Sequence, residues 1–251
     1  MPVLDSSALA DHVRTQVWPA SALAAPLGRV RPSGFEALDR ELPGGGWPCG
    51  AVTEILQAQP AVLEWRLLAP SLRDAMSSGL PVVVIAPPRQ PHLPGLRHAG
   101  IDERQLVWVR AETPAERLWA IEQLLRTDRC GAIVAWLDHA RADQIRRLQV
   151  RAADAPYPVF LCRPAAAQRE SSAAPLRMLA SFGVDWTVHV QILKRRGAAH
   201  DGVIELESVP GGLDAVLTPR LRQPSRWIAT REGASDAVGR PALTSGRPVT
   251  S

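Results

Sequence analysis

Lysine is almost missing from this chain. Of its 29 basic residues all but Lys194 are arginine, so chemistry that needs a lysine in a phosphate loop or a Schiff base has one position to use. Cysteine is scarce too. Cys49, Cys130 and Cys162 are odd in number, widely spaced and without a C-x-x-C pair. That argues against a disulfide framework or a thiolate zinc site and suits a reducing cytoplasm. The six histidines show no paired metal spacing, and there is neither a G-x-S-x-G elbow nor a local Cys/His pair. No metal and no catalytic nucleophile are therefore expected. No stretch approaches the roughly 18 uninterrupted apolar residues of a membrane span. Met1 to Asp11 lacks a basic segment followed by an apolar run, so no signal peptide is expected.

What remains is the composition of an ordinary globular chain. At 251 residues, 46% hydrophobic and 22% charged, it suits one domain with tails and can bury a sizeable core. A formal charge of +4 permits contact with nucleic acid without demanding it. Residues 1–30, rich in Ala, Ser and Pro, read as an arm with a short amphipathic helix from Ser6 to Trp18. Residues 31–215 read as the core. Residues 216–251, Pro-containing and without apolar periodicity, read as a flexible tail, because such a segment cannot offset its ordering entropy. Trp227 and Ile228 are its only obvious anchors.

Within the core, short β-branched runs predict strands covered on both faces at 51–56, 81–86, 106–109, 132–137 and 158–162. Between them lie helical patterns. One is 64–77, interrupted by Pro70. Another opens on the capping box Thr113-Pro-Ala-Glu116 and turns Leu118, Ile121 and Leu125 inward, with Trp119 beside them. A third is capped by Asp138 and carries Ile145 and Leu148. From Val184 to Ile192 apolar and polar residues alternate, and Val203 to Val209 follows after a polar turn, which predicts an antiparallel hairpin. The expected class is α/β: a doubly wound, mainly parallel sheet with a C-terminal antiparallel hairpin.

Gly44-Gly-Gly46 invites comparison with a phosphate cradle, but it precedes a strand instead of following one, so it reads as a permissive turn. The position that follows the strand and opens a helix holds Gln57, Ala58, Gln59 and Pro60. It has no glycine for close backbone approach, no lysine for the phosphates and no Ser/Thr for magnesium. Lys194, at the end of a hairpin strand, is too far along the chain to belong there.

Pro32-Ser-Gly-Phe-Glu-Ala-Leu-Asp39 and Leu42-Pro-Gly-Gly-Gly-Trp-Pro-Cys-Gly-Ala-Val-Thr-Glu-Ile55 resemble the segment that leads into the P-loop of RecA-type recombinases. The wording Glu41-Leu-Pro-Gly-Gly-Gly-Trp-Pro48 is similar, more closely, to the ImuA family of RecA-like accessory proteins in bacterial mutagenic translesion synthesis. The likeness runs from about Val17 to Gly212. It implies a RecA-like core whose nucleotide site is degenerate: the loop at Gln57–Pro60, Trp136 where the magnesium-linked aspartate of the Walker B strand would stand, and Pro87-Pro-Arg-Gln-Pro91 where an acidic residue should follow its strand. Asp138 reads as a helix cap and not a metal ligand. The resemblance further implies no cofactor and no enzymatic activity. It implies instead an adaptor in the SOS response to DNA damage, acting with the Y-family polymerase-like protein ImuB and the error-prone polymerase DnaE2 and contacting RecA. Leu125-Arg-Thr-Asp128 followed by Ala132–Leu137, then Phe160-Leu-Cys-Arg-Pro164, also resembles SulA, the SOS inhibitor of the division protein FtsZ, although that family is shorter and lacks the Phe35–Ile55 block.

An adaptor works through surfaces. Arg163 and Arg169 lie in a polar stretch that matches the mobile DNA-contacting loop of RecA, and equally reads as a plain connection. Two charges there would give only weak, salt-sensitive DNA contact. Arg141, Arg146, Arg147 and Arg151 form a helix face, either solvated or an interface. Trp18, Trp47 and Trp227, in proline-rich or loop settings, are candidate partner anchors, whereas Trp108, Trp119, Trp136 and Trp186 fall in core-like patterns.

Overall fold

Val52–Gln57 (β3) is buried along its whole length, as a strand covered on both faces must be. It lies inside an eight-stranded sheet in a computed structural model that describes residues 28–60, 63–209, 213 and 215–226. Almost all of the arm, including Trp18, and the tail from Trp227 onward lie outside the described residues.

Ahead of the sheet, Val30–Arg31 (β1) pairs with Trp47–Pro48 (β2) around the helix Glu36–Glu41 (α1). The glycine turn sits here, as the sequence predicts. Gly44 and Gly45 have φ of +85° and +82°, and a Cβ on Gly46 would come 2.4 Å from the Arg31 carbonyl oxygen. After β3 come Leu63–Ser77 (α2), Val82–Ile85 (β4), Leu93–His98 (α3) and Leu106–Val109 (β5). Pro114–Leu124 (α4), Ala132–Trp136 (β6), Ala142–Ala152 (α5) and Val159–Pro164 (β7) follow. The chain then runs through Leu176–Phe182 (β8), Thr187–Lys194 (β9), Ile204–Glu207 (β10) and the short helix Pro219–Arg222 (α6). The sheet order is β10-β9-β8-β3-β7-β6-β4-β5. β8, β3, β7, β6, β4 and β5 are parallel neighbours, and β8–β9 and β9–β10 are antiparallel.

Helices cover both faces. Leu67 and Leu72 of α2 and Leu96 of α3 bury against Ile55, Phe160 and Met178 on one side. Leu118 and Ile121 of α4 and Ile145 and Leu148 of α5 bury against Val83, Ile133 and Leu161 on the other. None of the described helices is long and apolar enough to cross a membrane.

Four expectations are corrected. Pro70 does not interrupt α2, which runs on to Ser77. β5 is not covered on both faces: it is an edge strand, and its Val107 and Trp108 are 46% and 38% exposed. Val184 to Trp186 turn instead of extending, with φ of +54° at Asp185 and +68° at Trp186, so β9 begins at Thr187. The start of the expected flexible tail, as far as residue 226, packs on that turn. Ser225 N–H donates to Asp185 Oδ1 at 2.9 Å, and Trp186 Nε1 donates to the Leu221 carbonyl at 2.9 Å. These bonds give the segment partners that its composition does not reveal.

Candidate functional site

From the end of β3 the chain leaves through α2 toward β4. From the end of neighbouring β7 it leaves the opposite way, through a 3₁₀ turn at Ala165–Arg169, to β8. Divergence of this kind opens the crevice in which α/β sheets hold ligands. The strand–turn–helix there is also the arrangement that a phosphate loop requires. Its side chains are a different matter. Gln57 is buried, and among the described residues neither amide atom has a partner, while Ala58, Gln59 and Pro60 are exposed.

Trp136, at the end of β6, is 1% exposed, and its indole Nε1 donates to Glu64 Oε1 at 2.5 Å. Glu64 is itself 1% exposed and stands in the first turn of α2. A helix N-terminus attracts negative charge, and here an internal carboxylate supplies it. Cys162 of β7 borders the same spot. Its thiol is held well above its ordinary range, first by complete burial and second by the Glu64 charge. Trp65 then lies against Trp136 with ring centroids 6.0 Å apart. The end of β3 is thus closed by an indole–carboxylate pair. A phosphate entering it would meet a negative charge, no lysine and no glycine cradle.

Asp138 neither caps a helix nor joins this group. α5 begins at Ala142, with Gln144 Oε1 accepting from the N–H of Arg141 at the cap position. Asp138 Oδ2 instead pairs with Arg117 Nη1 at 3.0 Å, and Arg117 also donates to the Trp136 carbonyl. The outgoing end of β6 is tied to α4 in this way.

Arg163 is not a surface contact. It is 2% exposed and donates to Glu54 Oε1 at 2.8 Å, while Arg177 of β8 donates to Glu54 Oε2 at 2.5 Å. Glu54 is fully buried on β3. Other guanidinium donors fasten the turn that follows β7: Arg163 to Glu170 Oε2 at 2.7 Å and the Ala140 carbonyl at 3.0 Å, Arg177 to the Ala167 and Glu170 carbonyls at 2.8 and 3.2 Å. Lys194, at the end of β9, donates to the Ser172 carbonyl at 2.9 Å. A stretch expected as a mobile loop or a plain connection is therefore pinned, with Arg169 exposed among Gln168, Glu170 and Ser171 at its outer end.

The arginine face of α5 is largely paired within the fold. Arg147 and Arg151 approach Glu122 of α4 at 2.6 and 3.6 Å, and Arg141 pairs with Asp143 at 3.2 Å. Arg146 alone has no acidic partner among the described residues. Trp47 is no anchor either: it is fully buried, edge-on to Phe160 at 5.2 Å. Its place in a loop of the sequence hid that β2 seats it under the sheet. Trp119, which the pattern set beside the core, is 65% exposed on α4. Trp18 and Trp227 lie outside the described residues.

Sequence reasoning missed a groove of about 590 Å³ between α2, α3 and the end of β10. Trp65, Ala69 and Arg73 of α2 line it at helical spacing, and Arg66 lies beside them. Arg66 donates to Ser208 Oγ at 2.6 Å and to the Trp186 carbonyl, and stacks over Phe182 and Trp186. Burial lowers the pKa of this guanidinium. The signal was present in the mixed arginine and aromatic stripe of α2, which a wholly solvated or wholly buried helix would not carry. No protein-family model matches the chain, and a search of curated proteins finds no relative.

Proposed function

We propose that this protein is a non-catalytic, RecA-like adaptor of the ImuA type, serving SOS-induced translesion DNA synthesis together with ImuB and DnaE2 and contacting RecA. The observation that carries this reading is the closed end of β3. The buried Trp136–Glu64 hydrogen bond at the start of α2 supports a strand end without a nucleotide, in a chain whose Phe35–Ile55 block resembles the approach to a RecA P-loop. The parallel sheet, with helices on both faces and an antiparallel hairpin at one edge, is compatible with that fold. A protomer without a working nucleotide site can still offer a docking face to RecA, and so cap or shorten a filament without completing a shared ATP site.

Two measurements test the proposal. In pull-downs with the full chain as bait, ImuB is retained and FtsZ is not; retention of FtsZ alone supports the SulA-like alternative. Added at equimolar amount to RecA, ATP and single-stranded DNA, the protein shortens filaments and slows strand exchange. Unchanged filament length and exchange rate refute the capping role.

A further inference from the structure

The groove beside α2 is apolar below and cationic around. Phe35, Trp65, Ala69, Leu96, Ala99 and Val209 line it, with Arg66, Arg73 and Arg89 against a single acid, Glu207. The three guanidiniums have no carboxylate within ion-pair distance among the described residues. Arg66 donates to Ser208 and to the Trp186 carbonyl, Arg73 donates to the Ala99 carbonyl at 2.7 Å, and exposed Arg89 has no side-chain hydrogen bond among the described residues. Elsewhere Arg31, Arg97, Arg117, Arg147, Arg163 and Arg195 each meet an acid, whereas others, Arg146 among them, do not. In the groove, positive charge without an acidic partner lies next to apolar surface.

We propose that this groove is the docking site for a short acidic peptide segment of a partner protein, anchored by a leucine or aromatic side chain and flanked by Asp or Glu. The volume, about 590 Å³, lies within the roughly 300–1,000 Å³ range of sites that enclose a ligand's apolar body. Arginine binds carboxylates through a planar fork of donors, and arginine with tryptophan is the pairing enriched where interfaces concentrate their affinity. Nucleic acid fits less well. Its binding needs a basic track along the backbone and aromatic faces for successive bases, whereas beside Phe35 and Trp65 the wall runs through Ala69, Pro70, Leu96 and Ala99, which offer no stacking platform. Trp65, braced from behind by Trp136 at 6.0 Å, is held as part of the wall. The closed strand end therefore stiffens the groove beside it. This inference does not depend on the RecA-like reading and survives its failure.

The test is selection of short random peptides displayed on phage against the full chain, followed by fluorescence anisotropy with a labelled selected peptide. Selected sequences carry paired acidic residues around a leucine or aromatic position. Arg89→Glu and Arg73→Glu each weaken binding by about tenfold or more, Arg89→Lys weakens it less, and Arg146→Glu on α5 leaves it unchanged. Thermal midpoints confirm that each variant is folded. Failure to select any peptide, selection of neutral or basic sequences, or indifference of binding to Arg89→Glu overturns the proposal. So does binding of an oligothymidylate that competes with the peptide and depends on Arg89.

Discussion

A carboxylate buried on a central strand is costly unless every lone pair is used, and Glu54 is fully buried. It is tolerated because Arg163 and Arg177, from the two flanking strands, each present a donor to a different oxygen. The guanidiniums in turn donate to Ala140, Ala167 and Glu170, although Arg163 Nε is buried without a partner among the described residues. Removing the centre is predicted to be worse than removing the whole group. Glu54→Leu strands two buried cations and should cost about 3–5 kcal/mol in denaturant unfolding, whereas Glu54→Leu with Arg163→Met and Arg177→Leu should recover most of that. If the triple variant is no more stable than the single one, the group is not a self-contained ionic cluster. Sequence could not show this triad. Glu54 reads as part of a family-like motif, and Arg163 as a loop residue, because β8, which supplies Arg177, carries no alternation that marks it as a strand.

Elements declared themselves in the sequence where their burial was uniform. β3, β4 and β6 were visible as short apolar runs, and α4 as a capping box, which forms with Glu116 N–H donating to Thr113 Oγ1 at 3.2 Å. Misreadings fall where local chemistry is overridden by tertiary partners. Asp138 is drawn to Arg117 and away from a cap, Trp186 turns so that its indole reaches the Leu221 carbonyl, and β5 keeps a buried-looking composition at a sheet edge. Pro70 is the sharpest case. A proline inside a helix removes a hydrogen bond and crowds the preceding turn, at a cost of roughly 3 kcal/mol, yet α2 continues through it. Its ring sits over Gly34, where a Cβ would come 2.2 Å from Pro70 Cβ, and lines the groove. Because Ala retains that Cβ and restores the N–H, Pro70→Ala should raise stability by about 1–2 kcal/mol after the entropy lost from the unfolded chain is counted. A fall in the urea midpoint would mean that the ring's packing outweighs the helix penalty.

At the scale of the whole molecule, a ligand that binds only the folded chain raises its stability by an amount set by concentration over affinity. ATP at about a hundred times its dissociation constant would add about 2.7 kcal/mol, a rise of roughly 5–10 °C in the melting midpoint of a domain this size. No rise is predicted here with ATP and magnesium, for two separable reasons. One is electrostatic: Glu64 places a negative charge in the first turn of α2, with Trp136 over it. The other is the missing cradle, since Gln57 to Pro60 offer no glycine and the one lysine is spent on the Ser172 carbonyl far along the chain. Glu64→Gln separates them. The amide keeps an oxygen to accept from the Trp136 indole, so the fold is retained while the charge goes. If the cradle is the deeper loss, Glu64→Gln melts as unresponsively to ATP as the unaltered protein. A nucleotide-dependent rise confined to the variant would show that charge alone keeps the site closed. A rise in the unaltered protein would show that this strand end still takes a nucleotide.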